Sequence, residues 1–212
     1  MKLSYKEFIR DENNIQKLVI FLHGYGSNGE NLLALAPEIS KFFPEVKFIA
    51  PNATYDCDIG LPDSYQWFTL SQNDPVKMSI EIVESNNILD QFIVQQLEKH
   101  NLNKDDLILI GFSQGAMMSM YNSLKNKDKI AGILALSGKL ILPNEVKSNQ
   151  NICLVHGTDD NVVPYASLPE AEEKLTELGN NIDSHSLNDL GHAIDYRVVK
   201  IIINYIKKLL NK

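Results

Sequence analysis

The sequence predicts an α/β fold: a mostly parallel sheet with helices on both faces. Three observations carry this. Short segments, apolar at nearly every position, recur along the chain at 17–23 (KLVIFLH), 46–51 (VKFIAP), 106–112 (DLILIGF), 130–138 (IAGILALSG) and 151–157 (NICLVHG). Continuous rather than alternating apolar character is what a strand buried on both faces requires. Longer segments with helical spacing separate these strands, as parallel connections demand.

In chain order, 17–23 is the first strand, and 31–43 (NLLALAPEISKFF) has helical spacing that Pro37 splits or bends. The strand at 46–51 ends on a proline. The stretch 52–78 has little periodicity and several Pro, Asp and Gly residues. Long excursions of this kind in a compact domain are often functional. Residues 81–99 align Ile82, Ile88, Leu89, Phe92, Ile93 and Leu97 on one stripe, which predicts a helix. A strand at 106–112 runs into a helix at 114–125. Strands follow at 130–138, 151–157 and 182–187 (IDSHSL), with helices at 168–178 and 193–210. The last helix is apolar nearly all round, so it is expected to pack on the sheet. The chain's 212 residues suit one domain. No linker, repeat or insertion long enough for a cap interrupts it, so 1–212 reads as a single domain without a large cap.

The net charge of −7 disfavours a nucleic-acid backbone or an anionic membrane as partner. No apolar run approaches the about 20 residues of a membrane helix, and MKLSYKEFIRDENN lacks an apolar leader core. Cys57 lies in a polar region and Cys153 in an apolar run; neither has a CxxC partner. No metal site or cofactor is expected, and two cysteines suit a reducing, cytoplasmic compartment.

Ligands of doubly wound sheets bind beyond the carboxyl ends of the strands. The loops there read HGYGSNGE, SQGA, GTDDNVVP and NDLGHAID. They supply a glycine-rich turn, a serine, two aspartates and a histidine: the parts of an acyl-transfer site in the order Ser, Asp, His. Ser113 sits in GFSQG between strand and helix, as a nucleophile on a sharp turn does; an N-capping serine would occupy the same position. His192 alone among five histidines follows the final strand and precedes the final helix. His23, His100, His156 and His185 read as structural. Asp159 and Asp160 both suit the acid that orients the imidazole, and spacing does not choose between them; Asp189 precedes His192 in its own loop and suits that role less. An oxyanion hole needs two N–H donors, worth roughly 3 kcal/mol each. One is expected from Gln114, after the serine, and the other from Tyr25 in the glycine turn. GYGSNG lacks both GxGxxG and the lysine of a phosphate loop.

Together VIFLHGYGSNGENL, FIAPNA, Trp67-Phe68, GFSQGAMMSM, ALSG at 135–138, HGTDDNVVP and GHAID resemble the α/β-hydrolase family of small carboxylesterases, phospholipase-like esterases and acyl-protein thioesterases. The likeness runs over nearly the whole chain. In that family the acid lies four residues after the histidine of HGxxD. The resemblance therefore implies Ser113, Asp160 and His192 as the triad, with Tyr25 and Gln114 amides as the oxyanion hole. It implies hydrolysis of esters or thioesters of short to medium acyl chains through an acyl-enzyme on Ser113. The alternatives are thioesterase or lysophospholipase activity on long acyl chains, acyl transfer to another acceptor, or acyl binding without catalysis. GYGSNG is closer to bacterial esterases of the group than to the human-type thioesterases. The expected acyl pocket is apolar: Leu61, Trp67, Phe68, Leu70 and Met78 from the excursion, with Val163. Trp67 and Phe68 suit plain core packing, or a lid over the sheet edge, as well as they suit the pocket. Met117, Met118 and Met120 are expected in the core. The resemblance allows a homodimer, with an exposed Trp67-Phe68 flap as its expected contact.

Overall fold

The structure, a computed structural model, describes residues 2–70 and 74–211. Seven strands form the main sheet: β1 (Tyr5–Phe8), β2 (Lys17–Leu22), β3 (Val46–Pro51), β6 (Leu107–Phe112), β7 (Gly132–Leu136), β8 (Asn151–Gly157) and β9 (Asn181–Leu187). A small hairpin, β4 (Tyr55–Asp56) with β5 (Tyr65–Gln66), stands apart. The order in the main sheet is β1-β3-β2-β6-β7-β8-β9. Every pairing is parallel except β1 with β3.

The apolar runs explain this architecture. Leu18, Ile20 and Leu22 point to one face of the sheet, and Val19 and Phe21 to the other. The first face is covered by α3 (Pro75–Lys99), α4 (Gln114–Lys125) and α5 (Ser167–Glu177). The second is covered by α1 (Gly29–Leu33), α2 (Ala36–Ile39) and α6 (Tyr196–Leu209). The chain crosses from β2 to β3 on one side and continues from β6 on the other. The strand order therefore reverses beside β2, and the carboxyl ends of β2 and β6 meet at the crevice where such sheets bind ligands.

Several expectations are corrected. The single helix expected at 31–43 is two short ones, α1 and α2, with Pro37 in the first turn of α2. Helix α3 begins at Pro75 rather than 81, because Asp74 accepts a hydrogen bond from the Lys77 amide and Pro75 is set for a first turn. Its opening turns are mostly exposed, so they carry no apolar stripe. Helix α6 begins at Tyr196, capped by Asp195, which leaves His192 in a loop. It is one-sided rather than apolar all round: Val198, Ile202, Ile203 and Ile206 are buried, while Lys200, Asn204 and Lys208 are exposed. Trp67 and Phe68 are 0% exposed, so no Trp-Phe flap is available to a partner. Both cysteines are buried and free, Cys57 included.

Helix α4 lies against β2 at backbone contact. A Cβ on Gly115 would fall 1.8 Å from the Leu22 carbonyl oxygen, and one on Gly111 would fall 2.2 Å from the Gly115 oxygen. Two backbones cannot retreat as a flexible side chain can. Gly115→Ala should therefore cost about 3 kcal/mol or abolish folding, read by urea denaturation; a change under about 0.5 kcal/mol would contradict this packing.

Candidate active site

Four loops converge beyond the carboxyl ends of β2, β6, β8 and β9. Ser113 is the residue between β6 and α4, with φ 54° and ψ −117°. A β-carbon residue at positive φ is strained, and here the glycine contacts on either side over-determine it. A capping serine has extended angles and accepts a hydrogen bond from the helix's first amides. Ser113 has neither feature: its side chain makes no capping bond to α4. Its amide donates to Leu136 O at 2.8 Å, so the turn is held while the hydroxyl is left for other work.

His192 Nδ1 lies 2.7 Å from Asp160 Oδ2. Asp160's side chain is wholly buried. Its Oδ1 accepts from the Val162 and Val163 amides at 2.9 and 2.8 Å. Burial pushes this carboxyl up, but the bonds from His192 and the two amides outweigh it, so it sits below the usual carboxylate range. An ionised carboxylate only accepts, so Nδ1 is the donor in this bond and Nε2 is the ring nitrogen left for the cavity. Asp159, the other candidate, is exposed and accepts from the Thr158 hydroxyl. Asp189, at φ 57°, uses its amide on Thr158 Oγ1. Neither has a hydrogen bond to His192. The two loops are stitched by backbone, Asp159 N donating to Leu190 O at 3.0 Å. A Cβ on Gly157 would meet that same oxygen at 2.0 Å.

The glycine turn after β2 is held from beneath. His23 Nδ1 bonds Gly24 O at 2.7 Å, and Ala53 N donates to its Nε2 at 2.9 Å. Trp67 Nε1 donates to His23 O at 3.0 Å. Gly26 N donates to Tyr65 O, and Tyr65 N to Ser27 O. The Tyr25 hydroxyl donates to Asp58, which pushes its own pKa up. Gln114 does more than present its amide. Its buried side chain accepts from Trp67 N at 2.8 Å and donates to Phe68 O at 2.7 Å. The excursion is thereby pinned to the serine turn. Sequence reasoning missed this, because an isolated glutamine gives no hint of a partner 47 residues away.

Ser113, His192, Tyr25 and Gln114 all line one cavity of about 730 Å3, with Leu70, Met117, Val162, Val163 and Pro164 as apolar lining. Of the expected pocket residues, Leu70 and Val163 are therefore at the cavity and four others are not. Leu61 is 63% exposed elsewhere on the excursion. Trp67 and Phe68 are in the core, anchored by the bonds above. Met78 is half-buried against that core. Met117, which the sequence assigns to the core rather than the pocket, is buried and also lines the cavity. Its position four residues after Ser113, on the same face of α4, is the signal that finds it. Among the described residues no cluster of His, Cys, Asp and Glu could hold a metal ion, and no helix is long and apolar enough to cross a membrane.

This is the architecture of the α/β hydrolases. The model of the phospholipase/carboxylesterase family matches residues 3–210, and the chain belongs to that family of ester-bond hydrolases. Among curated proteins it is 30% identical over 209 residues to acyl-protein thioesterase 1 homolog 1 of Dictyostelium discoideum, covering 92% of this chain and 91% of that protein. It is 27% identical over 208 residues to esterase YpfH of Escherichia coli, covering 93% and 84%. The crystal structure of esterase PE8 superposes with a TM-score of 0.91 at 32% identity, covering 99% of this chain and 100% of that one. The carboxylesterase of Bacillus cereus shares the fold alone, at TM-score 0.80 and 17% identity over 98% and 94%.

His23 supplies a test of the buried support. Burial lowers its pKa to about 4, against about 6.5 when unfolded. Between those values the unfolded chain binds the extra proton, so stability falls as pH drops from 6.5 towards 4. Urea denaturation across that range should show a loss of about 3 kcal/mol from this group, absent in His23→Gln. Equal pH slopes for the two proteins would contradict the buried neutral imidazole.

Proposed function

We propose that the protein hydrolyses carboxylic esters or thioesters of short to medium acyl chains through an acyl-enzyme on Ser113. The observation that supports it most is Ser113 itself: a strained serine not spent on capping, sharing a cavity with a histidine whose other nitrogen is held by a buried carboxylate. His192 Nε2 takes the hydroxyl proton as Ser113 Oγ attacks the carbonyl carbon. Asp160 holds the imidazole tautomer and stabilises its cation. The Tyr25 and Gln114 amides receive the oxyanion. The Gln114 N–H suits this as a first-turn amide with no acceptor inside its helix. The carbon–leaving-group bond then breaks, and the leaving oxygen or sulfur takes the proton from His192. Water gives a proton to the same nitrogen and attacks the acyl-enzyme, and collapse frees the acid as His192 returns that proton to Ser113 Oγ. No metal or organic cofactor enters these steps. Two buried, unpaired thiols support a cytoplasmic location.

A second reading is thioester cleavage on long acyl chains; the Dictyostelium relative is named an acyl-protein thioesterase. What favours it is the continuation of the cavity. Lys139, Ser167 and Glu170 also line an adjoining groove of about 290 Å3 that runs on to Leu142 and Lys174.

Ser113→Ala should lower kcat/KM on a short-chain p-nitrophenyl ester by at least ~10^3-fold, since a triad fails as a unit. Wild-type rates in that variant would mean another nucleophile. Val163→Trp should move the preferred acyl length towards shorter chains in a profile of matched esters; an unmoved profile would put the acyl group elsewhere.

A further inference from the structure

A second, smaller pocket of about 230 Å3 meets the main cavity at His192. Gly24, Ser27, Phe112 and His192 line both; Ser113 lines only the larger. The smaller pocket opens to solvent, is bordered by Leu32 and Ile194, and carries, besides the two histidines His23 and His192, the side chains of Ser27 and the exposed Asn31 on its lining. Asn31 Nδ2 donates to Ser27 Oγ at 3.2 Å. That bond uses one acceptor site of the serine and leaves its hydroxyl proton free. No described residue donates to Asn31 Oδ1. The pocket thus offers one spare donor and one spare acceptor, side by side.

We infer that this pocket receives the leaving group, and that it selects a small polyhydroxyl alcohol of glycerol size. The inference rests on the Ser113 and His192 roles proposed above. An ester held with its carbonyl carbon over Ser113 extends two ways. The acyl chain takes the larger, apolar cavity. The leaving oxygen must face His192 Nε2 to receive its proton, so its substituent takes the side that His192 lines and Ser113 does not. A hydroxyl on that substituent donates to Asn31 Oδ1 and accepts from Ser27 Oγ. An alkyl leaving group of similar size forgoes both bonds and gains nothing from the water it displaces at Ser27 and Asn31, so it binds more weakly. By microscopic reversibility the same pocket holds the second-step nucleophile. When glycerol replaces water there, its hydroxyl proton goes to His192, its oxygen bonds the acyl carbon, and the bond to Ser113 Oγ breaks as His192 returns the proton to Oγ.

That second step gives a test independent of how fast the acyl-enzyme forms. p-Nitrophenyl butyrate is supplied with glycerol or 1-propanol at equal concentration, and the ratio of acyl transfer to hydrolysis is measured for each. Wild type should transfer to glycerol several-fold more than to 1-propanol. Asn31→Leu should abolish or reverse that order, and Ser27→Ala, a smaller change, should weaken it. Equal capture of the two alcohols by wild type would overturn the inference. So would an unchanged ratio in both variants. Failure of wild type to release p-nitrophenol would instead overturn the Ser113 reading beneath it, so the two failures are distinguishable.

Discussion

A Cβ on Gly115 would lie 1.8 Å from the carbonyl oxygen of Leu22, so helix α4 meets strand β2 backbone to backbone. The geometry of the site follows from that approach. With Gly111 crowded against the same turn, the chain between β6 and α4 reverses within one residue, and that residue is Ser113 at φ 54°. The close approach also brings the first turn of α4 beside the glycine loop that leaves β2. Two stretches with amides to spare thus border one cavity. The strain at Ser113 is sustained because the surrounding contacts leave the turn no alternative.

Packing that tight needs support where the sheet ends, and the excursion after β3 gives it. Trp67 and Phe68 are core residues, joined through their backbones to the Gln114 side chain. Trp67 and His23 then hold the glycine loop in turn. Trp67 and Phe68, for which the sequence leaves an acyl pocket, a lid and core packing open, are the foundation of the glycine loop. The cavity is lined by what remains: Leu70 at the excursion's end, Met117 on α4 and the valines beside Asp160. On the far side, the stitched loops of β8 and β9 carry Asp160 and His192 as one unit, so the carboxylate and imidazole stay in register.

The parallel strands and the grouping of Ser113, Asp160 and His192 are legible in sequence for one reason. All-apolar strands fix direction, and direction sends every strand-end loop to the same edge. What sequence hides is tertiary. Strand β1 is four partly exposed residues whose role depends on an antiparallel partner far along the chain, Tyr5 opposite Pro51. The start of α3 shows in Asp74-Pro75 but not in periodicity, because its first turns face water. The choice of Asp160 over Asp159 depends on which carboxylate turns inward; the sequence offers both, and only the family resemblance or the structure separates them. The burial of Trp67 rests on a glutamine remote in sequence, and nothing local announces it.

In the proposed mechanism the strained hydroxyl of Ser113 is the nucleophile, activated by His192 on Asp160. The most direct measurement is peptide mapping by mass spectrometry after the folded protein reacts with a fluorophosphonate. One adduct per chain is expected, on Ser113, and it should vanish when the protein is unfolded before labelling. An unlabelled native protein, or an adduct on another residue with Ser113 unmodified, would contradict it.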